Sequence, residues 1–295
     1  MPSIRKKTAG NAQYYYLEHS YREGGKVHKK ELYLGKTVPN NIEKLKQQLM
    51  TDVYQEQWFG KFDRIREEYG KEHQRTPPSA REKVMETFII RFTYDTNRIE
   101  GSTLTLRETA DLLEKGITPG TRPLSDVKEA ESHMNVFYEM LEYTKDLSLN
   151  TVLYFHKKLF KSTKSDIAGI IRSHQVAISG SKFMPPFPAE IYPLLMDFFK
   201  LYDRNKKKTN PVELAAVVHL KLVTIHPFSD GNGRISRLMM NFILHRHGYP
   251  MLNIPYEKRR GYYNALEKAQ IKKDDTLFLQ WFFRRYEKEH RRYLK

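Results

Sequence analysis

Apolar residues recur at the three- and four-residue spacing of an α-helix through most of the chain from Asn41 onward. This periodicity predicts a mainly α-helical protein. Asn41 can cap a first helix over residues 42–72, which the Thr76-Pro77-Pro78 segment ends. Ser79 and Glu82 have the spacing of a capping box at the start of the next helix, which reaches residue 101. Further helices are predicted over residues 105–116, 124–144, 148–160 and 189–201 and after Asn210.

Two of the predicted helices are apolar enough to be central. Asn210, Pro211 and Glu213 favour a helix start, with proline at the first helical position. The helix that follows, VELAAVVHLKLVTI, is apolar on nearly every face, so we expect it to be buried. Pro227 cannot continue it, because proline lacks the backbone N–H that a helix needs. A second apolar-periodic helix begins near Ile235, so a short loop joins two core helices.

Two other segments break the helical pattern. Residues 13–21 and 26–34 are rich in Tyr, Val and Leu and flank a Glu23-Gly24-Gly25 turn, which predicts a β-hairpin. Residues 176–184 contain Ser179-Gly180 and precede two prolines, which predicts a second short hairpin. The chain is therefore expected to have three parts: a small basic β segment over residues 1–40, a helical linker over 41–78, and a main domain over 79–290.

The composition narrows the classes of protein. The chain has 295 residues and no cysteine, which excludes disulfides, thiolate metal sites and cysteine nucleophiles and fits a cytoplasmic location. No apolar run approaches the ~20 residues that span a bilayer, so no membrane segment is predicted. The formal net charge of +16 makes nucleic acid a candidate partner. A protein that binds any other anionic ligand would also benefit from positive potential.

The loop between the two apolar helices concentrates residues that are useful for chemistry. His226 ends the first helix and can act as a neutral base near physiological pH. Two glycines just before a helix N-terminus let backbone amides approach an anion. Asp230 offers an oxygen of the kind that Mg²⁺ prefers, and Arg234 and Arg237 lie three residues apart on the first turn. From these residues alone, the loop is either a magnesium–phosphate site beside a base or an ordinary turn.

The segment HPFSDGNGRISR, residues 226–237, resembles the Fic signature H-x-F-x-D/E-G-N-G-R-x-x-R at every specified position. The resemblance extends over roughly residues 79–285 and implies a Fic-fold helical bundle with a short β-hairpin flap. It implies a protein adenylyltransferase, which moves AMP from ATP to a hydroxyl group of a target protein. In this family His226 would be the general base, Asp230 would hold Mg²⁺, and Phe228 would anchor the loop. The ATP phosphates would be bound by Gly231, Asn232 (backbone and side chain), Gly233, Arg234 and Arg237, the last at the γ-phosphate.

A second resemblance concerns regulation. Thr96, Glu100 and Gly101 match the Fic inhibitory motif S/T-x-x-x-E-G/N, which implies that residues 79–101 form an inhibitory helix. In that subclass the glutamate, here Glu100, pairs with the second signature arginine, here Arg237, and ATP cannot place its γ-phosphate. In some relatives the same glutamate orients water to remove AMP, so a hydrolytic reverse activity stays open.

The same resemblance assigns the rest of the site. Tyr262 and Tyr263 would flank the adenine, with Gln270 as a polar contact to the base. The flap would pair with an extended stretch of the target protein by strand addition. It comprises Ile178, Ser179, Gly180, Ser181, Lys182, Phe183 and Met184. His219, on the apolar helix, is interpreted as a packed, hydrogen-bonded histidine.

Three alternatives remain open from the sequence. The working part could be the basic segment 1–40 in a nucleic-acid-associated regulator. The transferred group could be another nucleotide monophosphate or phosphate-containing group. A metal-dependent hydrolase using His226 and Asp230 is disfavoured, because no second histidine has ligand spacing near them. The target protein, modification of the chain by itself, and a homodimer are left undetermined.

Overall fold

The computed structural model describes residues 2–23 and 25–295, and the chain is mainly helical. The mainly α-helical class is therefore confirmed. The strands are β1 Ser3–Ala9, β2 Ala12–Glu23 and β3 Lys26–Gly35. The helices are α1 Ile42–Tyr54, α2 Gly60–Arg75, α3 Pro78–Ile99, α4 Leu106–Lys115, α5 Leu124–Glu142, α6 Leu149–Phe160, α7 Pro188–Asn205, α8 Pro211–Ile225, α9 Asn232–Arg246, α10 Arg259–Lys272 and α11 Asp275–Glu289. A π-helix over Gln55–Phe59 and 3₁₀ turns over Tyr256–Lys258 and Arg291–Leu294 complete the helical structure.

The chain forms two compact units, Met1–Ile65 with Arg291–Lys295, and Arg66–His290. In the first unit the strands form an antiparallel sheet in the order β1-β2-β3, with α1 packed against β2 and β3. The predicted hairpin corresponds to β2 and β3, but the prediction missed β1. Every residue of β1 is exposed, so this strand lacks the apolar alternation that marks a half-buried strand.

The first helix begins at Ile42, directly after Asn41, as predicted, but the Asn41 side chain makes no capping hydrogen bond. The predicted helix over residues 42–72 is instead α1, the π-helix and α2. The Ser79–Glu82 capping box does not form, because α3 already begins at Pro78 with Pro77 at its N-cap. The fixed φ of proline suits the first helical position, so the start moves one residue earlier and Ser79 lies inside the first turn.

Two other starts are confirmed. Thr105 Oγ1 accepts a hydrogen bond from the Glu108 N–H, and the Glu108 carboxylate accepts one from the Thr105 N–H, which is a complete capping box for α4. Asn210 Oδ1 accepts a hydrogen bond from the Val212 N–H at 3.0 Å, and Pro211 is the first residue of α8. These local signals fix where both helices begin.

The core of the second unit is built around α8 and α9. Helix α8 is buried along most of its length and packs against α9, α7 and α11. Helix α9 is buried from Asn232 to Leu244 apart from Gly233. The loop over residues 226–231 joins the two helices and is therefore held between two rigid elements.

The second hairpin prediction, over residues 176–184, is wrong. No strand forms there, and the segment turns through a hydrogen bond from the Ser181 N–H to the Ile178 carbonyl at 3.1 Å. The Lys182 N–H and the Ser181 hydroxyl both donate to Glu267 Oε1, at 2.6 and 3.1 Å. The Glu267 carboxylate therefore accepts hydrogen bonds from the backbone and a side chain of this segment. In a two-stranded hairpin, the backbone donors would instead bond to the opposite strand. Within the described ranges, no helix is long and apolar enough to cross a membrane.

Candidate active site

His226 occupies the end of α8 in a left-handed backbone conformation, with φ at 53°. That region is uncommon for residues other than glycine, so the surroundings must hold it there. Arg172, which is only 3% exposed, donates from Nε to the His226 carbonyl at 2.8 Å. The Arg172 N–H donates to the Pro227 carbonyl at 2.9 Å. A buried arginine from another part of the chain therefore fixes the turn that presents the imidazole.

The hydrogen bond of the His226 ring decides which nitrogen can act as a base. Nδ1 lies 3.1 Å from the Val223 carbonyl, which can only accept, so Nδ1 carries the proton. Nε2 of the neutral ring then bears the free lone pair. Burial lowers the pKa of His226 below its ordinary value of 6.5, and Arg172 adds to this effect while Glu100 and Asp230 oppose it. The ring is therefore neutral at pH 7.

The side chain of Asn232 closes the loop on itself. Its Oδ1 accepts a hydrogen bond from the Phe228 N–H at 2.9 Å, and its Nδ2 donates to the Phe228 carbonyl at 2.7 Å. Both polar groups of the side chain are thus used inside the loop. That this side chain orients phosphates stays a prediction, and the Asn232 backbone N–H at the start of α9 has no partner within the helix. Phe228 itself is buried, as expected for an anchor.

His156 of α6 supports the same loop, and the sequence interpretation missed it. The Gly169 N–H donates to His156 Nδ1 at 2.9 Å, so Nε2 carries the proton and donates to the Asp230 carbonyl at 3.0 Å. The ring stacks on Phe228 with centroids 3.7 Å apart. Burial lowers the pKa of His156 to about 4. Nothing in the local pattern of α6 distinguishes this histidine from an ordinary buried one.

The start of α9 presents backbone N–H groups that have no partner within the helix. These belong to Asn232, Gly233 and Arg234, and they add positive partial charge at this end. A Cβ at Gly233 would lie 2.3 Å from Glu100 Oε1 and 2.9 Å from Arg237 Nη1. Only glycine allows this approach, and a carboxylate now stands where an anion would meet the helix.

Arg237 holds that carboxylate. Its Nη2 donates to Glu100 Oε1 at 2.7 Å. The same guanidinium donates to Thr96, from Nε to Oγ1 at 2.5 Å and from Nη2 to the carbonyl at 3.1 Å. Arg237 is 1% exposed, whereas the Glu100 side chain is 28% exposed. Burial lowers the pKa of Arg237, but the attraction of Glu100 and Tyr262 outweighs it and raises that pKa, so the arginine stays charged.

Asp230 faces a separate group of charges. Arg234 Nη2 contacts Asp230 Oδ1 at 3.2 Å, and Arg234 Nη1 pairs with Glu129 of α5. Lys164 Nζ lies 2.5 Å from Asp230 Oδ2 and 3.1 Å from Glu129 Oε1. These four side chains form a closed ring of alternating charge, which we call the Asp230 ring. Neither Glu129 nor Lys164 was identified from the sequence, because neither belongs to a recognisable motif.

The Asp230 ring engages the side chain of Arg234, which was predicted to bind an ATP phosphate. Its side chain is 3% exposed and its guanidinium lies over the Phe160 ring, 4.6 Å from the centroid. In this arrangement the guanidinium joins Asp230 to Glu129, and its contact with phosphate stays a prediction. Its backbone N–H, at the start of α9, stays available to an anion.

The fit of Mg²⁺ to the site rests on one carboxylate. Among the residues that the structure describes, no cluster of three or more His, Asp or Glu side chains could hold a metal ion. Mg²⁺ commonly binds through one or two carboxylates together with substrate phosphates and water, and Asp230 suits that mode. Burial raises the pKa of Asp230, but Arg234 and Lys164 outweigh it and lower that pKa, so the carboxylate is charged.

A cavity of about 220 Å³ lies beside this loop and is bounded by the flap segment and α10. It brings together many of the predicted residues. Those that lie outside its lining are Thr96, Gly101, Lys182, Phe183, Met184, Asp230, Gly231, Asn232 and Arg234. The predicted residues that line it are Glu100, Ile178, Ser179, Gly180, Ser181, His226, Gly233, Arg237, Tyr262, Tyr263 and Gln270.

Comparison with known proteins identifies the segment that carries this loop. Residues 146–244 match the Fic/DOC family, and they include α6 to α9 with the whole loop. The chain carries a Fic domain. Protein adenylyltransferase fic-1 of Caenorhabditis elegans is 32% identical over 214 residues, which are 70% of this chain and 41% of the relative. Protein adenylyltransferase Fic of Drosophila ananassae is 32% identical over 268 residues, 86% of this chain and 52% of the relative. The chain thus spans about half the length of the curated relatives it matches.

Solved structures agree with the Fic fold. A Fic domain containing signaling protein from Bacteroides thetaiotaomicron superposes with a TM-score of 0.70 and 27% identity, covering 79% of this chain and 96% of that one. Residues 134–508 of Fic-1 from Caenorhabditis elegans superpose with a TM-score of 0.70 and 28% identity, covering 87% of this chain and 77% of that one. The Fic-fold helical bundle expected from the signature is therefore confirmed.

The residues predicted to hold adenine lie after the segment that matches the Fic/DOC family, and they differ in accessibility. Tyr262 is 1% exposed, and its hydroxyl contacts His219 Nε2 at 3.0 Å and Arg237 Nη1 at 3.4 Å. Tyr263 is more open, and its hydroxyl donates to the Ile99 carbonyl at 3.0 Å. Gln270 Nε2 donates to Thr224 Oγ1 at 3.1 Å. His219 is therefore a packed, hydrogen-bonded histidine, as its interpretation from the sequence stated.

Gly231 sets how closely the Fic loop approaches α6. Its φ is +79°, and an added Cβ would lie 2.2 Å from Phe160 Cε2. Gly231→Ala is therefore expected to cost about 1–2 kcal/mol for the left-handed backbone and a further ~1–3 kcal/mol for overpacking. Thermal or denaturant unfolding of the purified variant measures this loss.

Gly248→Ala is the matched control for that prediction. Gly248 also has a left-handed backbone, with φ at +71°, but a Cβ there meets nothing within 4 Å. We expect it to lose only the ~1–2 kcal/mol of backbone strain. Equal losses for the two variants would show that contact with Phe160 does not restrict the loop.

Proposed function

We propose that this chain is a protein adenylyltransferase, which transfers AMP from ATP to a hydroxyl side chain of a target protein. The observation that carries the proposal is a cavity lined by His226, by Gly233 at the start of α9 and by Arg237, with the Nδ1 of His226 engaged by the Val223 carbonyl. A base, an anion-binding helix start and a buried cation are the groups that phosphoryl transfer requires. The names of the curated relatives point to the same reaction.

The chemistry follows from the position of His226. Nε2 takes the proton of the target hydroxyl as its oxygen attacks the α-phosphorus of ATP. The bond from that phosphorus to the bridging oxygen breaks, and pyrophosphate leaves with the electron pair. AMP stays on the target through a new phosphodiester. A positioned base contributes ~10²–10⁴-fold, and the remaining acceleration comes from orientation and charge stabilisation.

The backbone N–H groups of Asn232, Gly233 and Arg234 would bind the phosphates, with Gly231 giving the turn that exposes them. Arg237 would bind the γ-phosphate. Asp230 would hold Mg²⁺, which neutralises charge between the α- and β-phosphates. Because Arg234 is engaged by Glu129, its guanidinium would support Asp230 rather than contact the nucleotide.

The base pocket would be formed by α10. Tyr263 is exposed enough for its ring to contact the base. Tyr262 is buried and would contribute by holding Arg237 through its hydroxyl. Gln270 could turn from Thr224 to an edge of the base. An aromatic ring and an amide side chain are contacts that suit adenine. The isotope experiment below also tests whether another nucleotide monophosphate is transferred.

Glu100 would keep the isolated protein inactive. Its carboxylate occupies the place beside Gly233 and Arg237 that the γ-phosphate needs. Thr96 holds the same arginine from the preceding turn, and Gly101, with φ at +102°, lets the chain leave the helix end sharply. A cavity of about 220 Å³ is smaller than the ~300–1,000 Å³ of typical ligand pockets, which supports the need for Glu100 to move. The carboxylate could also orient water for the reverse, hydrolytic reaction.

The target would dock on the flap, Ile178–Met184. Within the described residues this segment belongs to no strand ladder. The N–H groups of Ser181, Lys182 and Phe183 already have partners inside the protein, so an extended peptide would pair with the remaining backbone groups or displace these contacts. Modification of the chain by itself, a homodimer, a cytoplasmic location and the division into residues 1–40, 41–78 and 79–290 stay predictions.

Nucleic-acid binding by the N-terminal sheet also stays a prediction. Its cations are less available than their number suggests, because several are paired with acidic neighbours. Arg5, Lys7 and Lys29 each lie within 4.0 Å of Glu18, and Lys7 and Lys29 also contact Glu31. The adenylyltransferase proposal therefore has the stronger structural support.

The position of the isotope in ATP can be used to test which reaction the protein catalyses. The Glu100→Gly variant is incubated with Mg²⁺ and ATP labelled either at the α-phosphate or at the γ-phosphate, with a bacterial lysate as the source of targets. AMP transfer predicts protein-bound label from α-labelled ATP only. Label from γ-labelled ATP would indicate a kinase, and no label from either, with ATP consumed, would indicate a hydrolase. Stronger labelling by α-labelled UTP would assign a different nucleotide.

A further inference from the structure

The two oxygens of Asp230 have different partners in the Asp230 ring. Oδ1 accepts from the Gly231 N–H at 2.5 Å and faces Arg234 Nη2 at 3.2 Å. Oδ2 is contacted by Lys164 Nζ at 2.5 Å. Oδ1 is thus used by the loop itself, and Oδ2 is the oxygen that a metal ion would take. An ammonium group stands at that oxygen.

We propose that Lys164 is a built-in cation that competes with Mg²⁺ for Asp230, so that the metal must displace it before the site is complete. This rests on the proposed function, since it concerns how that same site is loaded. An ammonium is a compact point charge with three donors, and it neutralises a carboxylate as a bound cation would. Lys164 is therefore a positioning residue that sets how much Mg²⁺ the site needs.

Within the Asp230 ring, Lys164 also contacts a second carboxylate. Its Nζ lies 3.1 Å from Glu129 Oε1, so leaving Asp230 does not leave the ammonium without a carboxylate. Its side chain is 40% exposed, which leaves room for the movement. Removing one partner of a buried pair is costly because a charge is left alone, and this arrangement avoids that cost. The exchange is consequently reversible and sensitive to metal concentration.

Arg234 cannot make the same exchange. It is 3% exposed, and its guanidinium is enclosed between Glu129, Asp230 and the Phe160 ring. Between the two cations that contact Asp230, only Lys164 combines partial exposure with an alternative carboxylate. The competition is therefore assigned to the lysine.

Metal binding, rather than activity, tests this proposal. Mn²⁺ binding to the full chain with the non-hydrolysable analogue α,β-methylene ATP is measured by water-proton relaxation, which distinguishes protein-bound Mn²⁺ from the free nucleotide complex. Because the competing contact is partly exposed, Lys164→Met is expected to lower the Mn²⁺ dissociation constant by about three- to tenfold. Lys164→Arg keeps the charge and should stay near the parent value.

Lys161→Met removes the same charge from an exposed site three residues earlier in the chain and serves as the matched control. It should change Mn²⁺ affinity by less than about twofold, since exposed charges act weakly through solvent. Damage to the fold would weaken metal binding, whereas the proposal requires tighter binding. Thermal unfolding of each variant verifies that the chain is folded.

Asp230→Asn separates failure of this inference from failure of the proposed function. If it abolishes Mn²⁺ binding while Lys164→Met leaves the affinity unchanged or lower, the competition by Lys164 is overturned and the metal role of Asp230 stands. If Asp230→Asn binds Mn²⁺ as the parent does, Asp230 is not the ligand, and both the competition and the proposed metal site are overturned.

Discussion

Replacement of Glu100 by glycine is expected to raise the rate of AMP transfer by roughly ten- to hundredfold. The carboxylate accepts a charge-assisted hydrogen bond from Arg237, and bonds of this kind contribute ~1.5–3 kcal/mol. Its removal frees both the guanidinium and the amides beside Gly233 for the γ-phosphate. The rate of protein labelling by α-labelled ATP, compared between parent and variant at equal protein concentration, measures the change.

Two further variants show whether the charge is responsible. Glu100→Gln keeps the size of the side chain but removes its charge, so we expect an intermediate rate. Glu142→Gly makes the same substitution at the exposed end of α5 and controls for loss of stability at a helix terminus. If Glu100→Gly labels no faster than the parent, Glu100 does not inhibit the site.

Replacement of His226 by alanine in the Glu100→Gly background is expected to reduce AMP transfer by about 10²–10⁴-fold. In the proposed reaction His226 Nε2 takes the proton from the attacking hydroxyl, whereas the backbone of the loop is held separately by Arg172. The variant should therefore still bind nucleotide. Single-turnover labelling together with equilibrium binding of α,β-methylene ATP distinguishes loss of chemistry from loss of binding.

The pH profile offers a second measurement of the same base. His226 can accept a proton only when neutral, so activity is present above its pKa and falls as the pH drops through it. Because burial lowers this pKa, the acid limb is expected below pH 6.5. His28→Ala, which removes an exposed imidazole from β3, should leave rate and profile unchanged. A His226→Ala rate within a few-fold of its parent would exclude the histidine as the base.

Glu100 and Thr96 both hold Arg237 from the end of α3. If Glu100 inhibits the site as proposed, its partly exposed carboxylate is the group that has to leave. Arg237 also contacts the hydroxyl of Tyr262 on α10. That contact would help to keep the arginine in place for a phosphate when the carboxylate withdraws.

Much of the helical fold could be predicted from local sequence. Thr105 with Glu108, and Asn210 with Pro211, place helix starts correctly because capping depends on residues three apart or fewer. Strand β1 was missed because it is exposed on every residue, so burial leaves no mark on its sequence. The sequence predicted a hairpin in the flap, but no strand forms there. The Lys182 N–H bonds to Glu267 of α10 rather than to an opposite strand, and a contact so distant in sequence leaves no local pattern.

The sequence by itself singled out the loop over residues 226–237, with His226 as the predicted base and Glu100 as the predicted partner of Arg237, because these residues lie in two short motifs. Only the tertiary structure decided how the charges are arranged. Glu129 of α5 pairs with Arg234, and Lys164, in the segment after α6, contacts both Glu129 and Asp230. Asn232 turns inward to Phe228. Such contacts join residues many positions apart, and their geometry depends on helix packing that no local pattern records.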